Sequence, residues 1–147
     1  HTRSGRDWSS DVCSSDLIEG YDAGVLDKRA FSSFADADVK ASREDRCSSI
    51  KLLVQVKHHQ GTSGDWGLKQ LEEIRKLSLK DYSDHVLIFV TSAEVTKALR
   101  DKADSLSITV IDGYGQADWI YENLNKLRPD TKNKLGICEV PTLTSLY

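Results

Sequence analysis

The sequence predicts an α/β sandwich built on a mixed central sheet. Three observations lead there. The segments "ADADVKAS" and "IKLLVQVKHH" flank the polar stretch "REDRCSS", the pattern of a β-hairpin. Two apolar runs follow, "HVLIFVTS" and "SITVID". Between and after them lie stretches with apolar residues at helical spacing. Strands separated by helices imply parallel crossover units, here joined to an antiparallel hairpin.

The elements can be justified in chain order. "IEGYDAGVLDKRAFSSF" has few periodic positions and two glycines, and reads as loop with up to one helical turn. "ADADVKAS" alternates and predicts a short strand, "REDRCSS" a polar turn, and "IKLLVQVKHH" the strongest strand. After the loop "QGTSGD", Asp65 or Ser63 is placed to cap a helix. That helix carries Leu68, Leu71, Ile74 and Leu77 on one side, and Lys69, Glu72, Glu73 and Lys76 on the others. "HVLIFVTS" predicts a strand covered on both faces, "AEVTKALRDKADSL" a second helix, and "SITVID" a third buried strand. "GQADWIYENLNKL" predicts a third helix, stopped at Arg128-Pro129. "KNKLGICEVPTL" predicts a final edge strand limited by Pro141.

Residues 1–17, "HTRSGRDWSSDVCSSDL", fall outside this pattern. They carry no charged start followed by an apolar core, so they are not a signal peptide. They resemble a common sequencing-library adapter read as codons. We expect a non-native, disordered tail that leaves Trp8 unpacked, followed by a domain over residues 18–147 that lacks its natural N-terminus. That length suits one domain with a sizeable core. Of three cysteines, Cys13 lies in the tail. Cys47 and Cys138 are too few for a disulfide scaffold and are expected to be inert, which points to a reducing cytoplasm. The net charge of -3 becomes -2 without the tail's two Arg and three Asp. That balance alone argues weakly against nucleic acid.

The chemistry gathers on the hairpin. Successive strand residues face opposite ways. Leu52, Val54 and Val56 therefore share an apolar face, while Leu53, Gln55 and Lys57 share the other. A hairpin can set Asp38, on its first strand, beside Gln55 and Lys57 on its second. Asp38 and Gln55 offer oxygen ligands to a hard cation such as Mg²⁺ or Mn²⁺, with the Val56 carbonyl as a further donor. Lys57 supplies positive charge toward a phosphate. The pattern D-x₁₆-Q-x-K is weak by itself, and a solvated strand face would look the same.

The surrounding residues add to it. "ADADV", "LLVQVKHHQGTSGDWGLKQLEEI", "HVLIFVTSAEVTKAL" and "ITVIDGYGQADWIYENL" together resemble the catalytic domain of Mrr-type (type IV) restriction endonucleases, in the PD-(D/E)xK nuclease superfamily. The resemblance spans about Asp36 to Leu143. It implies a restriction-endonuclease-like fold and metal-dependent hydrolysis of double-stranded DNA in restriction and defence. It implies that Asp38 and Gln55 are metal ligands and that Lys57 is the catalytic lysine, with Gln55 replacing the usual acidic ligand. Asp36 competes with Asp38 for the first role. The family often adds an acidic residue from an N-terminal helix, for which Glu19 and Asp22 are candidates. A homodimer would suit cutting of both strands.

Further residues are candidates for contact with DNA. His58 and His59 follow the strand directly; Gln70 lies one helical turn beyond Trp66; Thr91 and Ser92 end the next strand. Each also has a plain structural reading. Trp66 and Trp119 are expected to be packing anchors rather than stacking platforms for bases. Two rival functions stand beside the nuclease. One is a non-catalytic nucleic-acid-binding module on the same fold, motivated by the amide at position 55. The other is a small-ligand α/β domain, in which Asp38, Gln55 and Lys57 would not converge.

Overall fold

The computed structural model describes residues 20–27, 31, 34–77 and 82–144. The expectation of a disordered tail at residues 1–17, with its Trp8, and the candidate Glu19 lie outside the described residues. Five strands form one sheet in sequential order, β1 (Asp22–Val25), β2 (Val39–Asp45), β3 (Ser48–Lys57), β4 (Val86–Thr91) and β5 (Ile108–Ile111). The pairs β1–β2 and β2–β3 are antiparallel, and β3–β4 and β4–β5 are parallel. β3 thus joins an antiparallel half to a parallel half, the mixed sheet expected from the sequence.

Helix α1 (Trp66–Leu77) links β3 to β4, and α2 (Lys97–Ser105) links β4 to β5. α3 (Gly113–Glu122) follows β5, and a short α4 (Pro129–Lys134) comes after a single 3₁₀ turn at Leu124–Lys126. Thr96 caps α2 by accepting from the Leu99 amide, and Asp112 caps α3 by accepting from Gly115. The other Asp112 oxygen pairs with Arg100, which ties α3 to α2.

The sheet separates two cores. On one face Leu53, Leu87, Phe89 and Ile108 pack under Leu68, Leu71 and Ile74 of α1 and Leu99 and Ala103 of α2. On the other, Val39, Ala41, Leu52, Val54 and Val90 form a second apolar layer. Alternation along β3 produces this division: Leu53 faces the helices, while Leu52 and Val54 face away. Gly67 allows α1 to lie close to the sheet, because a methyl placed there would overlap the Phe89 ring.

Several expectations are corrected. Residues 22–25 are an edge strand, not loop; the short "DAGV" has no periodicity to betray it, and pairing with β2 supplies its order. The polar turn shrinks to Arg46-Cys47, since Arg43–Asp45 continue β2 opposite Ser48–Ile50. Asp65, not Ser63, precedes α1, and its carbonyl accepts from Lys69. Its carboxylate is held by Lys102 and Lys69 instead of capping. β5 lies at the sheet's edge with Thr109 exposed. The predicted C-terminal strand is absent from the described residues: Pro129 opens α4, where its missing N–H costs no hydrogen bond.

At the start of β4, His85 is buried among Tyr82 and Asp84. Its Nδ1 lies 2.9 Å from Asp84 Oδ1, its ring meets Tyr82 edge-on at 5.1 Å, and its Nε2 has no partner. Burial pushes its pKa below the ordinary value, outweighing the nearby Asp84 carboxylate that acts the other way. The unfolded chain therefore binds a proton more readily than the folded one. Stability is fully present above about pH 6.5 and is lost as pH falls below it, by up to about 1.4 kcal/mol per pH unit.

Two outcomes are expected. Urea unfolding between pH 7.5 and 5.5 should show this acid loss in the parent, and His85→Leu should flatten it; equal slopes would acquit His85. Gly67→Ala should destabilise by about 1–3 kcal/mol through overlap with Phe89, despite alanine's better helix propensity. Gly64→Ala, with open space around it, is the control.

Candidate active site

The hairpin register brings the first two candidates together. Val39 stands opposite Val54, so Asp38, one residue before β2, stands opposite Gln55. The Asp38 amide donates to the Val54 carbonyl at 2.8 Å, and its own carbonyl accepts from Leu26 at 2.8 Å. Its carboxylate Oδ2 accepts from Gln55 Nε2 at 2.9 Å and from the Val56 amide at 2.7 Å. Backbone and side chain are thus fixed from β3 and from the end of β1. Asp36 lies two residues before this position. Asp22 starts β1 opposite Ser42, about 13 Å along the ladder from Asp38.

Gln55 is completely buried on the helix-covered face, and its Oε1 has no hydrogen-bond partner. An acceptor removed from water without a partner costs about 1–3 kcal/mol. Lys57 follows on the same face of β3, half-buried, beside Thr91 of β4. The small-ligand reading required these three residues to scatter; Asp38 and Gln55 instead meet directly. An aspartate oxygen and an orphaned amide oxygen are both hard donors, suited to a hard divalent cation. Among the described residues no three His, Cys, Asp or Glu side chains cluster to hold a metal. A cation here would therefore take its remaining ligands from water, phosphate or the main chain.

Beyond Lys57 the two parallel strands stay laced together. The Ser92 amide donates to the Lys57 carbonyl at 3.3 Å, and Ser63 and Glu94 continue the ladder past the strand ends. Ser92 Oγ lies 2.8 Å from His58 Nδ1, accepts from the His59 amide at 3.3 Å and lies 3.2 Å from the His59 carbonyl. Both imidazoles remain exposed beside Lys57. Thr91 is different: it is fully buried, and its hydroxyl accepts from Ala93 at 3.1 Å, so it offers no surface to DNA. Gln70 is also buried rather than surface-facing. Trp66 is 58% exposed, so it is less of an anchor than expected, although its ring meets Phe34 edge-on at 4.5 Å. The Trp119 carbonyl accepts from Asn123 within the helical end of the chain.

The sequence reading missed the contribution of Phe34, Ala35 and Ala37, which pack the approach to Asp38 against α1. Their small or aromatic side chains before the aspartate were the only available signal. A cleft of about 520 Å³ beside α2 and β5, lined by Arg100, Ile108 and Val110 among others, shares no residue with the Asp38 cluster.

The Mrr catalytic-domain family, described as restriction endonuclease, matches residues 18–120. No curated protein matches the chain. Among solved structures, a repair endonuclease from Pyrococcus abyssi is similar, with a TM-score of 0.53 and 9% identity over 76% of this chain and 47% of that one. The MspJI restriction endonuclease, in complex with a 27-mer oligonucleotide, has a TM-score of 0.49 and 12% identity over 90% of this chain and 32% of that one. The chain spans less than half the length of either. At such identity the likeness to the repair endonuclease speaks to the fold alone, and it agrees with the mixed-sheet sandwich expected.

Asp38→Ala should destabilise the fold by about 2–3 kcal/mol in urea unfolding, because the Val56 amide and the Gln55 amide group lose a charged acceptor. Asp38→Asn, which keeps an oxygen in place, should cost less. A negligible loss in both would show that these hydrogen bonds contribute little to the fold.

Proposed function

The chain belongs to the restriction endonuclease family over residues 18–120, and from that premise we propose that it hydrolyses phosphodiester bonds of double-stranded DNA, in restriction and defence, with a divalent cation such as Mg²⁺ or Mn²⁺. The observation that carries the reading is the meeting of Asp38 with Gln55, whose buried Oε1 lacks a partner. Asp38 and Gln55 would hold the cation. When bound, it would polarise the scissile phosphate and make an attacking water more acidic.

The chain's own groups divide the remaining work. The Val56 amide fixes the Asp38 carboxylate in orientation, so little reorganisation is needed at the moment of reaction. Lys57 projects its ammonium from the same face and opposes the negative charge that develops on the phosphate oxygens. His58, whose ring meets Ser92, and His59 are exposed at the end of β3, and in this reading they would contact the DNA backbone. With one carboxylate and one neutral amide, the protein ligands carry a single negative charge. Cation binding also competes with the Gln55–Asp38 hydrogen bond. Affinity should therefore be low until the DNA phosphate adds its own charge.

Cutting both strands calls for two such centres, so a pair of chains on one duplex is the working arrangement proposed. No described helix is long and apolar enough to cross a membrane, and a cytoplasmic site of action fits a restriction role. The amide at position 55 motivates one rival, a DNA-binding module without catalysis.

Incubated with duplex DNA and Mg²⁺ or Mn²⁺, the protein should cut, and chelation should stop it. Lys57→Ala should slow cutting on the order of 10²–10³-fold while leaving the fold intact. DNA binding without any metal-dependent cutting would transfer the assignment to the binding module.

A further inference from the structure

A second buried amide lies on α1, the helix that covers the sheet face carrying Gln55. Gln70 of α1 is 9% exposed, and its Oε1, like that of Gln55, has no hydrogen-bond partner. Two contacts locate it. On one flank of α1, Gly67 lies against the ring of Phe89, which is the cross-strand partner of Gln55. On the other flank, Trp66 meets Phe34, at the head of the segment that runs through Ala35 and Ala37 to Asp38. Gln70 lies three residues after Gly67 and four after Trp66, so it shares the helix side of both. Helical side chains lean toward the helix N-terminus. That carries the Gln70 amide back toward the level of Phe89 and Gln55, over β3.

Two orphaned amide oxygens in one layer need a common explanation. Each is a strong acceptor withdrawn from bulk water. A hydrated divalent cation supplies what they lack. Mg²⁺ gives up its waters reluctantly and is seldom caged by protein atoms alone. The waters it keeps are strong donors, and groups that accept from them orient the centre.

Resting on the metal-dependent reading above, we infer that Gln70 is a positioning residue for that centre, its amide oxygen accepting from a water in the shell of the cation held by Asp38 and Gln55. This role differs from direct contact with DNA, which its burial prevents. It also explains why a polar residue occupies the sheet-facing side of a helix otherwise lined by Leu68, Leu71 and Ile74.

The test is Mn²⁺ binding to the whole chain without DNA, read by the loss of the free-ion electron paramagnetic resonance signal, together with melting temperature in chelator. The variants are Gln70→Met, close in shape but without the amide, Gln70→Glu, and Asp38→Asn. Gln70→Met should melt at or above the parent temperature, because an unsatisfied acceptor has gone. It should weaken Mn²⁺ binding at least threefold. Gln70→Glu should restore or tighten binding, which a merely structural residue would not do. If Gln70→Met binds Mn²⁺ like the parent while Asp38→Asn does not bind, the role of Gln70 is overturned and the centre stands. The same holds if Gln70→Met melts several degrees lower with unchanged binding, which would make Gln70 a packing residue. If the parent shows no Mn²⁺ binding that Asp38→Asn removes, the metal centre itself fails, and the inference falls with it.

Discussion

The register of the β2–β3 hairpin is the constraint on which the rest of the site depends. Val39 opposite Val54 sets Asp38 opposite Gln55, and the Val56 amide then locks the carboxylate. Because side chains alternate, a slip of one residue would move Gln55 and Lys57 to the apolar face and bring Leu52 and Val54 under the helices. The two hydrophobic layers resist that slip. Leu53 belongs to the core under α1, and Val39, Ala41, Leu52 and Val54 belong to the other. Packing on both faces of the sheet is thus what holds an aspartate and an amide within hydrogen-bond distance.

Much of this was legible in the residues. The hairpin, the order of helices and strands, and the sharing of a face by Leu53, Gln55 and Lys57 follow from period-2 and period-3.6 patterns, which are local. The apposition of Asp38 and Gln55 follows from the hairpin once its turn is short. What was not legible depends on partners distant in sequence. "DAGV" is a strand only because β2 offers it an edge, and "SITVID" is apolar whether it lies at the centre or at the edge. The last helix was hidden because Pro129 reads equally as a stop and as a start. Thr91 read as a candidate for DNA contact at a strand end, yet it is fully buried, its hydroxyl accepting from the Ala93 amide.

The pairing of charges also shapes what the surface can do. Lys51 is held by Asp84, Lys102 and Lys69 by Asp65, and Arg100 by Asp112. Each carboxylate offsets positive charge on the surface around it. In a chain with a negative net charge, attraction for a polyanion must then be local, and Lys57, His58 and His59 follow one another at the end of β3. Such an arrangement favours short-range contact over long-range steering.

The two-residue turn between β2 and β3 also bears on how the molecule assembles. Asp38 and Gln55 are joined through a hairpin whose closure restricts few residues, so the entropy lost in bringing them together is small. Lys57 and Thr91, by contrast, meet only after a helical crossover between strands 34 residues apart. Local contacts form early and parallel crossovers late. This topology implies that the Asp38–Gln55 pair is in place at the folding transition state, and that the wall of β4 closes on it afterwards. Folding φ-values near one for Val39 and Val54 and near zero for Val90 would bear this out, and the reverse order would refute it.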